Sequence, residues 1–299
     1  MKEKEDVLIS VVIPTYNRGS LLKRTINSVL NQTYSNFELI IIDDASTDNT
    51  EDLIKSYNDP RISYTRLESN SKGTKTRNLG IQKASGEFIA LLDSDDEWVN
   101  NKLEKQLSYI KQFNSDKIIC FTGLILIDEN NKSLTTNEDL NETDDIMDYI
   151  LLHDNWVQTS SYMISSKLAK NTLFGENIKK HQDWDFCLRL RDADAMFVYL
   201  SDNLTIYHID KRDDRIGTNS KYHLSIEWSK SIKEKVSERA YFAFMSKIVA
   251  NQLLMNGKKL EPLKIFSTAF LKRSINFWPF IKGIIKCILP WNYIIKRRS

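Results

Sequence analysis

The sequence predicts an α/β fold, a mainly parallel sheet flanked by helices, followed by a helical C-terminal extension. Three observations carry this. Short apolar, β-branched runs alternate with amphipathic helical segments through the first 130 residues, the order that lays helices on both faces of a parallel sheet. Those runs are apolar almost throughout, as strands covered on both faces require. From about Ser225 the pattern becomes helical to the end.

"VLISVVIP" (7 to 14) reads as the first buried strand. "LLKRTINSVLNQ" follows as a helix, with Leu22, Ile26, Val29 and Leu30 on one face. "FELIIIDD" is the second strand and "TDNTEDLIKSY" the second helix, with Thr47 or Asp48 suited to its N-cap. "ISYTRL", "KGTKTRNLGIQKA" and "EFIALLD" continue as strand, helix and strand. "NNKLEKQLSYI" is the fourth helix, with Leu103, Leu107 and Ile110 in register. "KIICFTGLILID" is a strand pair or one long strand, and "TTNEDLNETDD" a polar surface loop. "VQTSSYMIS" reads as a strand and "AMFVYLSDNLTIYHI" as one or two more.

The chain of 299 residues has room for one large α/β domain plus an appendage. A net charge of +2 gives no global field for nucleic acid, and nucleic acid is not an expected partner. The charge is unevenly placed. From Pro262 to Ser299 there are eight Lys/Arg and no acid, so a mildly acidic body carries a basic, aromatic tail. Cys120, Cys187 and Cys287 are far apart and in no metal-ligand spacing, which fits a reducing compartment. The N-terminus does not read as a signal peptide, and no stretch reaches the ~18 apolar residues of a membrane span.

In open parallel sheets, ligands bind beyond the carboxyl ends of the strands. Polar clusters follow three strands: "PTYNRGS", "DDASTDNT" and "DSDDEW". The first holds only Gly19, so a dinucleotide turn is not expected there. Without a glycine-rich cradle, a divalent cation held by carboxylates can neutralise a phosphate, and Asp93, Asp95 and Asp96 supply such oxygens. The alternative is that these acids cap the next helix. Asp44 can accept from a base or ribose, or belong to a turn. Asp183 and Asp185 flank Trp184 at a helix start, suited to a general base that recognises a sugar, or to capping. Arg77 turns toward a nucleotide or joins Lys72 and Lys75 on a solvated helix face. His208 precedes a charged loop with Lys211, Arg212 and Arg215 that could close over a diphosphate.

Together "ISVVIPTYNR", "IIIDDASTDNT", "RNLGIQKASGEFIALLDSDDEW" and "HQDWDFCLRL" resemble bacterial family 2 glycosyltransferases of the GT-A, Rossmann-like fold. The resemblance covers about residues 8 to 210. It implies inverting transfer from a nucleotide-diphospho-sugar, usually a UDP-sugar. It places Pro14, Thr15, Tyr16, Asn17 and Arg18 around the base, Asp44 on uracil and Arg77 near the nucleotide. It gives Asp93 and Asp95 to the nucleotide-sugar, and Asp95, Asp96 and His208 to a Mn²⁺ or Mg²⁺ ion. Asp183 is the implied catalytic base, beside Trp184.

The expected function is sugar transfer to a hydroxyl of a glycan or lipid-linked acceptor in bacterial surface polysaccharide biosynthesis. Two rivals are a metal-dependent nucleotidyltransferase and a catalytically silent membrane-bound partner. A nucleotidyltransferase would carry a glycine-rich basic signature near the first strand, and none is present. Residues 1–222 form the expected transferase domain, with a nucleotide-sugar half 1–115 and an acceptor half 116–222. Residues 223–299 form the helical region. In its tail, Pro279 and Pro290 bound a short helical piece whose Phe280, Ile281, Ile284, Ile285, Ile288 and Leu289 make an apolar stripe, with Lys282 and Lys286 on the other side and Trp278 and Trp291 near the ends. A helix packed on the domain or on a second subunit would also show such a stripe, and a homo-oligomer stays open. The lack of acids favours attachment to an anionic membrane surface. The expected place is cytoplasmic, peripheral to the inner face of the cell membrane.

Overall fold

The computed structural model describes residues 7–71, 74–128, 131–209 and 221–289. Along the chain, β1 (Ile9–Thr15), α1 (Leu22–Leu30), β2 (Phe37–Asp43), α2 (Thr50–Lys55), β3 (Ile62–Arg66), α3 (Lys75–Lys83) and β4 (Phe88–Leu91) follow the expected alternation. Then come β5 (Glu97–Trp98), α4 (Lys102–Ile110), β6 (Ile118–Asp128), β7 (Asn131–Leu134), α5 (Ile146–Leu151), β8 (Met163–Ser165), α6 (Ser166–Thr172), α7 (Gln182–Asp192) and β9 (Met196–His208). The helical end holds α8 (Tyr222–Ile232), α9 (Glu238–Phe244), α10 (Asn251–Met255), α11 (Leu260–Leu271) and α12 (Phe277–Ile288).

The chain divides into two compact units. The first takes residues 1–143, 156–178 and 182–210; the second takes 144–155, 179–181 and 211–299. The second unit thus draws in two short pieces from within the expected transferase domain and begins its last stretch before residue 223.

The sheet of the first unit runs β3-β2-β1-β4-β8-β6-β9-β5, with β7 beside β6. Its β3-β2-β1-β4 side is parallel, as the alternation requires. Beyond β4 the sheet is mixed, which corrects the mainly parallel expectation. The three-residue β8 runs antiparallel to both β4 and β6, and β5 antiparallel to β9, while β6 and β9 are parallel. β1, β2 and β4 lie within the core, with Ile9, Val11, Val12, Ile13, Leu39 and Ile41 fully buried. Each such side chain contributes about 1.5–3 kcal/mol on leaving water. A Cβ on Gly80 would run into Val12, so α3 lies against β1 only because that position has no side chain.

Several local expectations shift. "KIICFTGLILID" is one strand rather than a pair, and "AMFVYLSDNLTIYHI" is one long strand. Their register slips on both sides of Gly123, where β9 carries three extra residues, and resumes from Leu124↔Thr205 to Ile127↔His208. "VQTSSYMIS" is a 3₁₀ turn at Thr159–Ser161 followed by β8, because its polar Gln158, Ser160 and Ser161 bond within the turn instead of along a ladder. α2 starts at Thr50, later than a Thr47 or Asp48 cap allows. Asp48 still accepts the Thr50 N–H at 3.1 Å.

The second unit is helical. Asp145 caps α5 by accepting from Met147 N–H at 2.8 Å, and Ser237 caps α9 through Ala240 N–H at 3.0 Å. α9 runs on through a π-helical turn, Met245–Ala250, into α10. Lys247 there donates to the Leu152 carbonyl at 2.8 Å, a cation on the negative end of α5. His181 packs between the rings of Trp228 and Phe244 and meets Ser225 Oγ at 2.9 Å through Nε2. Burial, with the charge of Lys180, pushes the His181 imidazole down to about 3.

α12 departs from the expected tail. Pro279 sits inside its first turn, where proline costs no hydrogen bond, so it does not bound the helix. The stripe is split. Phe280 and Ile284 pack with buried Gly283 and Cys287 onto Phe266 and Phe270, while Ile285, Ile288 and Leu289 are exposed with Phe277 and Trp278. Lys286 reaches Asn251 Oδ1 at 2.8 Å, and Lys282 is exposed. Pro290, Trp291, Lys296, Arg297 and Arg298 lie outside the described residues, as do Lys72, Lys211, Arg212 and Arg215. All three cysteines are buried; burial pushes the thiols of Cys120 and Cys187 up to about 12 and raises that of Cys287. Among the described residues no helix is long and apolar enough to cross a membrane.

Candidate active site

The parallel pairing of β1, β2 and β4 brings three strand ends to one edge, and with them the three polar clusters. Pro14 and Thr15 close β1 opposite Ile42 and Asp43. The loops after β1 and β2 are stitched together: Asn17 N–H donates to Ser46 Oγ and Asn17 Oδ1 accepts from Thr47 N–H, both at 2.8 Å. Arg18 N–H meets Thr50 Oγ1 at 3.1 Å, and Gly19 N–H meets Asp48 at 3.0 Å. Asn17 takes a φ of 49°, which asparagine tolerates well. Tyr16 projects from this loop, 42% exposed. Asp43 is spent internally on Ser46 and Tyr64. Asp44 is buried and accepts Ser71 N–H at 2.7 Å. Among the described residues the buried Thr15 Oγ1 has no hydrogen-bond partner.

After β4 the chain turns through Asp93, Ser94, Asp95 and Asp96 into β5. α1 holds this turn from below, Arg24 donating to the Asp95 carbonyl at 2.7 Å and Thr25 to the Asp96 carbonyl at 2.8 Å. Asp93 takes a 2.7 Å ion pair from Arg77, whose guanidinium lies 4.8 Å over the Phe174 ring. Burial opposes the Arg77 charge, but Asp93 and Asp183 outweigh it and raise its pKa. Among the described residues Arg77 Nε is buried with no hydrogen-bond partner. Burial raises the Asp93 carboxyl, Asp183 and Asp95 add to this, and Arg77 pulls the other way. Asp183, at the second position of α7, acts electrostatically on both Arg77 and Asp93. Trp184 follows it, half-buried, and Asp185 turns away to Arg189 at 2.7 Å.

Asp96 is almost fully buried. Burial and then the charges of Asp95 and Asp93 push its carboxyl well up, against hydrogen bonds from Ser160 and from the His208 backbone. His208 ends β9 beside these acids, but its Nε2 faces Glu97 at 2.6 Å. Ser160 and Gln158, which donate to Asp96 Oδ2 at 2.7 and 3.2 Å, were not legible as site residues. The polar run Gln-Thr-Ser-Ser inside an otherwise strand-like stretch was the available signal. Deeper still, Gln106 donates to the carbonyls of Ser161 and Cys120 and accepts from the buried Lys102 Nζ. Burial pushes Lys102 down to about 7.

Among the described residues no three His, Cys, Asp or Glu side chains converge closely enough to hold a metal alone. A hard divalent cation asks less of the protein, one or two carboxylates with phosphate oxygens and water completing the shell. Asp95 and Asp96 offer that, and the mutual repulsion that raises Asp96 is what a cation between such acids would relieve. The donor chemistry fits Mn²⁺ or Mg²⁺.

The sequence profile of Glycosyl transferase family 2 matches residues 10–168, more than half of the chain. The amylovoran biosynthesis glycosyltransferase AmsB of Erwinia amylovora is 28% identical over 94% of this chain and 96% of its own. The Escherichia coli glucosyltransferase WfgD, named for transfer from UDP-Glc to α-D-GlcNAc-diphosphoundecaprenol, is 43% identical over 37% of this chain and 44% of its own. Staphylococcus aureus TarS (residues 1–349), solved with UDP-GlcNAc, superposes with a TM-score of 0.62 at 20% identity, covering 92% of this chain and 81% of that one. The likeness to TarS shows the shared fold, a mixed α/β sheet with a helical C-terminal region. With the matched profile spanning more than half of the chain, Asp44, Arg77, Asp93 and Asp96 included, the chain belongs to glycosyl transferase family 2.

Proposed function

We propose that this chain transfers a sugar from a UDP-sugar to a hydroxyl of a glycan or lipid-linked acceptor, with inversion at the anomeric carbon, in the making of a surface polysaccharide. The carrying observation is the Arg77–Asp93 ion pair at the carboxyl edge that also bears Asp95 and Asp96, with Asp183 acting electrostatically on both partners. The names of AmsB and WfgD support the polysaccharide setting, and WfgD a diphospholipid acceptor.

The loop of Pro14 to Arg18 and the buried Asp44 frame the base. Thr15 Oγ1 and Arg77 Nε, both buried and without a hydrogen-bond partner among the described residues, have bonding capacity to spare. Asp95 and Asp96 would hold Mn²⁺ or Mg²⁺, which when bound neutralises charge developing on the departing diphosphate. Asp183 takes the proton of the attacking acceptor hydroxyl. Arg77, held by Asp93, keeps a fixed positive charge in the neighbourhood of that base. A single displacement needs no covalent nucleophile, and the cysteines are buried with raised pKa.

The outer face of α12 supports a peripheral place on an anionic membrane at the cytoplasmic side. Phe277, Trp278 and Ile288 are exposed there, near exposed Lys282 and Arg273. The test of the activity is a panel of nucleotide-sugars, scored for thermal stabilisation and for Mn²⁺-dependent donor hydrolysis. A UDP-sugar active in both is expected. Stabilisation by none of them, with or without metal, sinks the assignment.

A further inference from the structure

Ser160 is fully buried in the 3₁₀ turn before β8, more than 60 residues along the chain from the acids. Its one hydroxyl serves both of them. Oγ accepts Asp93 N–H at 3.0 Å and donates to Asp96 Oδ2 at 2.7 Å. Gln158 completes the arrangement from the same turn, its Oε1 accepting Ser160 N–H at 2.8 Å and its Nε2 donating to Asp96 Oδ2 at 3.2 Å. The turn is in turn pinned by Trp98, two residues beyond Asp96, whose Nε1–H donates to the Ser160 carbonyl at 2.7 Å.

We infer that Ser160 is a positioning residue, which sets the orientation of Asp96 relative to Asp93 and so builds the cation side of the donor site. This rests on the family reading above and deepens it. The physical case is one of degrees of freedom. A buried aspartate beside two other acids would rotate to spread its charge away from them. Two donors fixed on one Oδ atom remove that freedom, and the backbone bond to Asp93 ties the spacing of the two acids to the same oxygen. The turn leads into β8, which pairs with β4 on the side away from β1, and this segment completes the donor edge without contributing an acid of its own.

The test measures UDP binding to the full chain by calorimetry, with and without Mn²⁺. The factor by which Mn²⁺ tightens UDP is the readout. Ser160→Ala should cut that factor about 10-fold or more, the scale of groups that orient metal ligands, and leave metal-free UDP binding unchanged. Ser161→Ala is the control. It removes a hydroxyl of the same turn, bonded at 2.6 Å to the Gln158 carbonyl, and should keep the wild-type factor. Ser160→Cys retains a weaker donor of similar shape and should give an intermediate factor, which serves if the alanine variant does not fold. A wild-type factor in Ser160→Ala or Ser160→Cys, or an equal loss in Ser161→Ala, overturns the inference alone. Absence of UDP binding, or of any Mn²⁺ effect, in the wild type overturns the reading beneath it.

Discussion

Asp183 and His181 stand two residues apart and meet opposite electrostatic surroundings. Asp183 shares its neighbourhood with Arg77, a fixed cation. Asp183→Asn should lower kcat by ~10² or more, the usual scale for a positioned general base, while UDP binding holds within error. Lost UDP affinity with kept turnover would mean the residue serves the donor. His181, in contrast, is buried against Trp228 and Phe244 and stays neutral down to about pH 3. An unfolded histidine binds its proton near 6.5. Below that pH the unfolded chain takes up a proton that the folded chain refuses, so stability present above about 6.5 is lost as pH falls toward 3. Urea unfolding between pH 6.5 and 5, where few carboxylates titrate, should show a slope that His181→Asn reduces; asparagine suits the φ of 62°. An unchanged slope would place the effect elsewhere. Of the residues, those at strand ends were legible because a parallel sheet fixes where its carboxyl ends lie. Ser160 and His181 were not, since their partners are distant in sequence and no local period encodes them.

At the scale of elements, α12 shows how composition and packing compete. Gly283 faces Phe266, and a Cβ there would lie 2.6 Å from two ring carbons. Replacing a helical glycine by alanine ordinarily gains about 1 kcal/mol. Overpacking a formed core costs about 1–3 kcal/mol. Gly283→Ala should therefore destabilise, read as a lower urea midpoint at unchanged slope; a raised midpoint would show that Phe266 yields freely. The strands β1, β2 and β4 were readable because both of their faces are covered and their sequences are apolar throughout. The three-residue β8 and two-residue β5 were not, because their length falls below any period and their pairing is set by neighbours already in place. The single long β9 was ambiguous for a related reason: its polar middle, Ser201 to Asn203, looks like a turn and is the bulge opposite Gly123.

At the scale of the whole molecule, the sequence places its charge unevenly and the chain divides into two compact units. The C-terminal stretch from Pro262 carries no acid, and its described part belongs to the second unit. Co-sedimentation with phosphatidylserine-containing vesicles should be strong at low salt and fall as salt rises, since each basic residue near the surface contributes about 1 kcal/mol that screening removes. Phe277→Ser with Trp278→Ser, both exposed and outside the cores, should weaken it without changing the thermal midpoint. Equal sedimentation with neutral and anionic vesicles would favour the alternative, a face covered by another protein. The alternation in the first 130 residues announced the α/β architecture. The mixed half of the sheet could not be announced in that way, because β8 joins β4 to β6 through pairings between strands far apart in the chain.

The three cysteines, each buried within a core and each with a raised pKa, have a practical consequence. Alkylating reagents attack the thiolate, and burial both suppresses that form and blocks the approach. The native chain is thus already suited to single-site labelling. A cysteine introduced at exposed Trp278 would be the one fast-reacting thiol, and a solvent-sensitive dye carried there would report directly on what that face meets, without removing any of the cysteines that fill the cores.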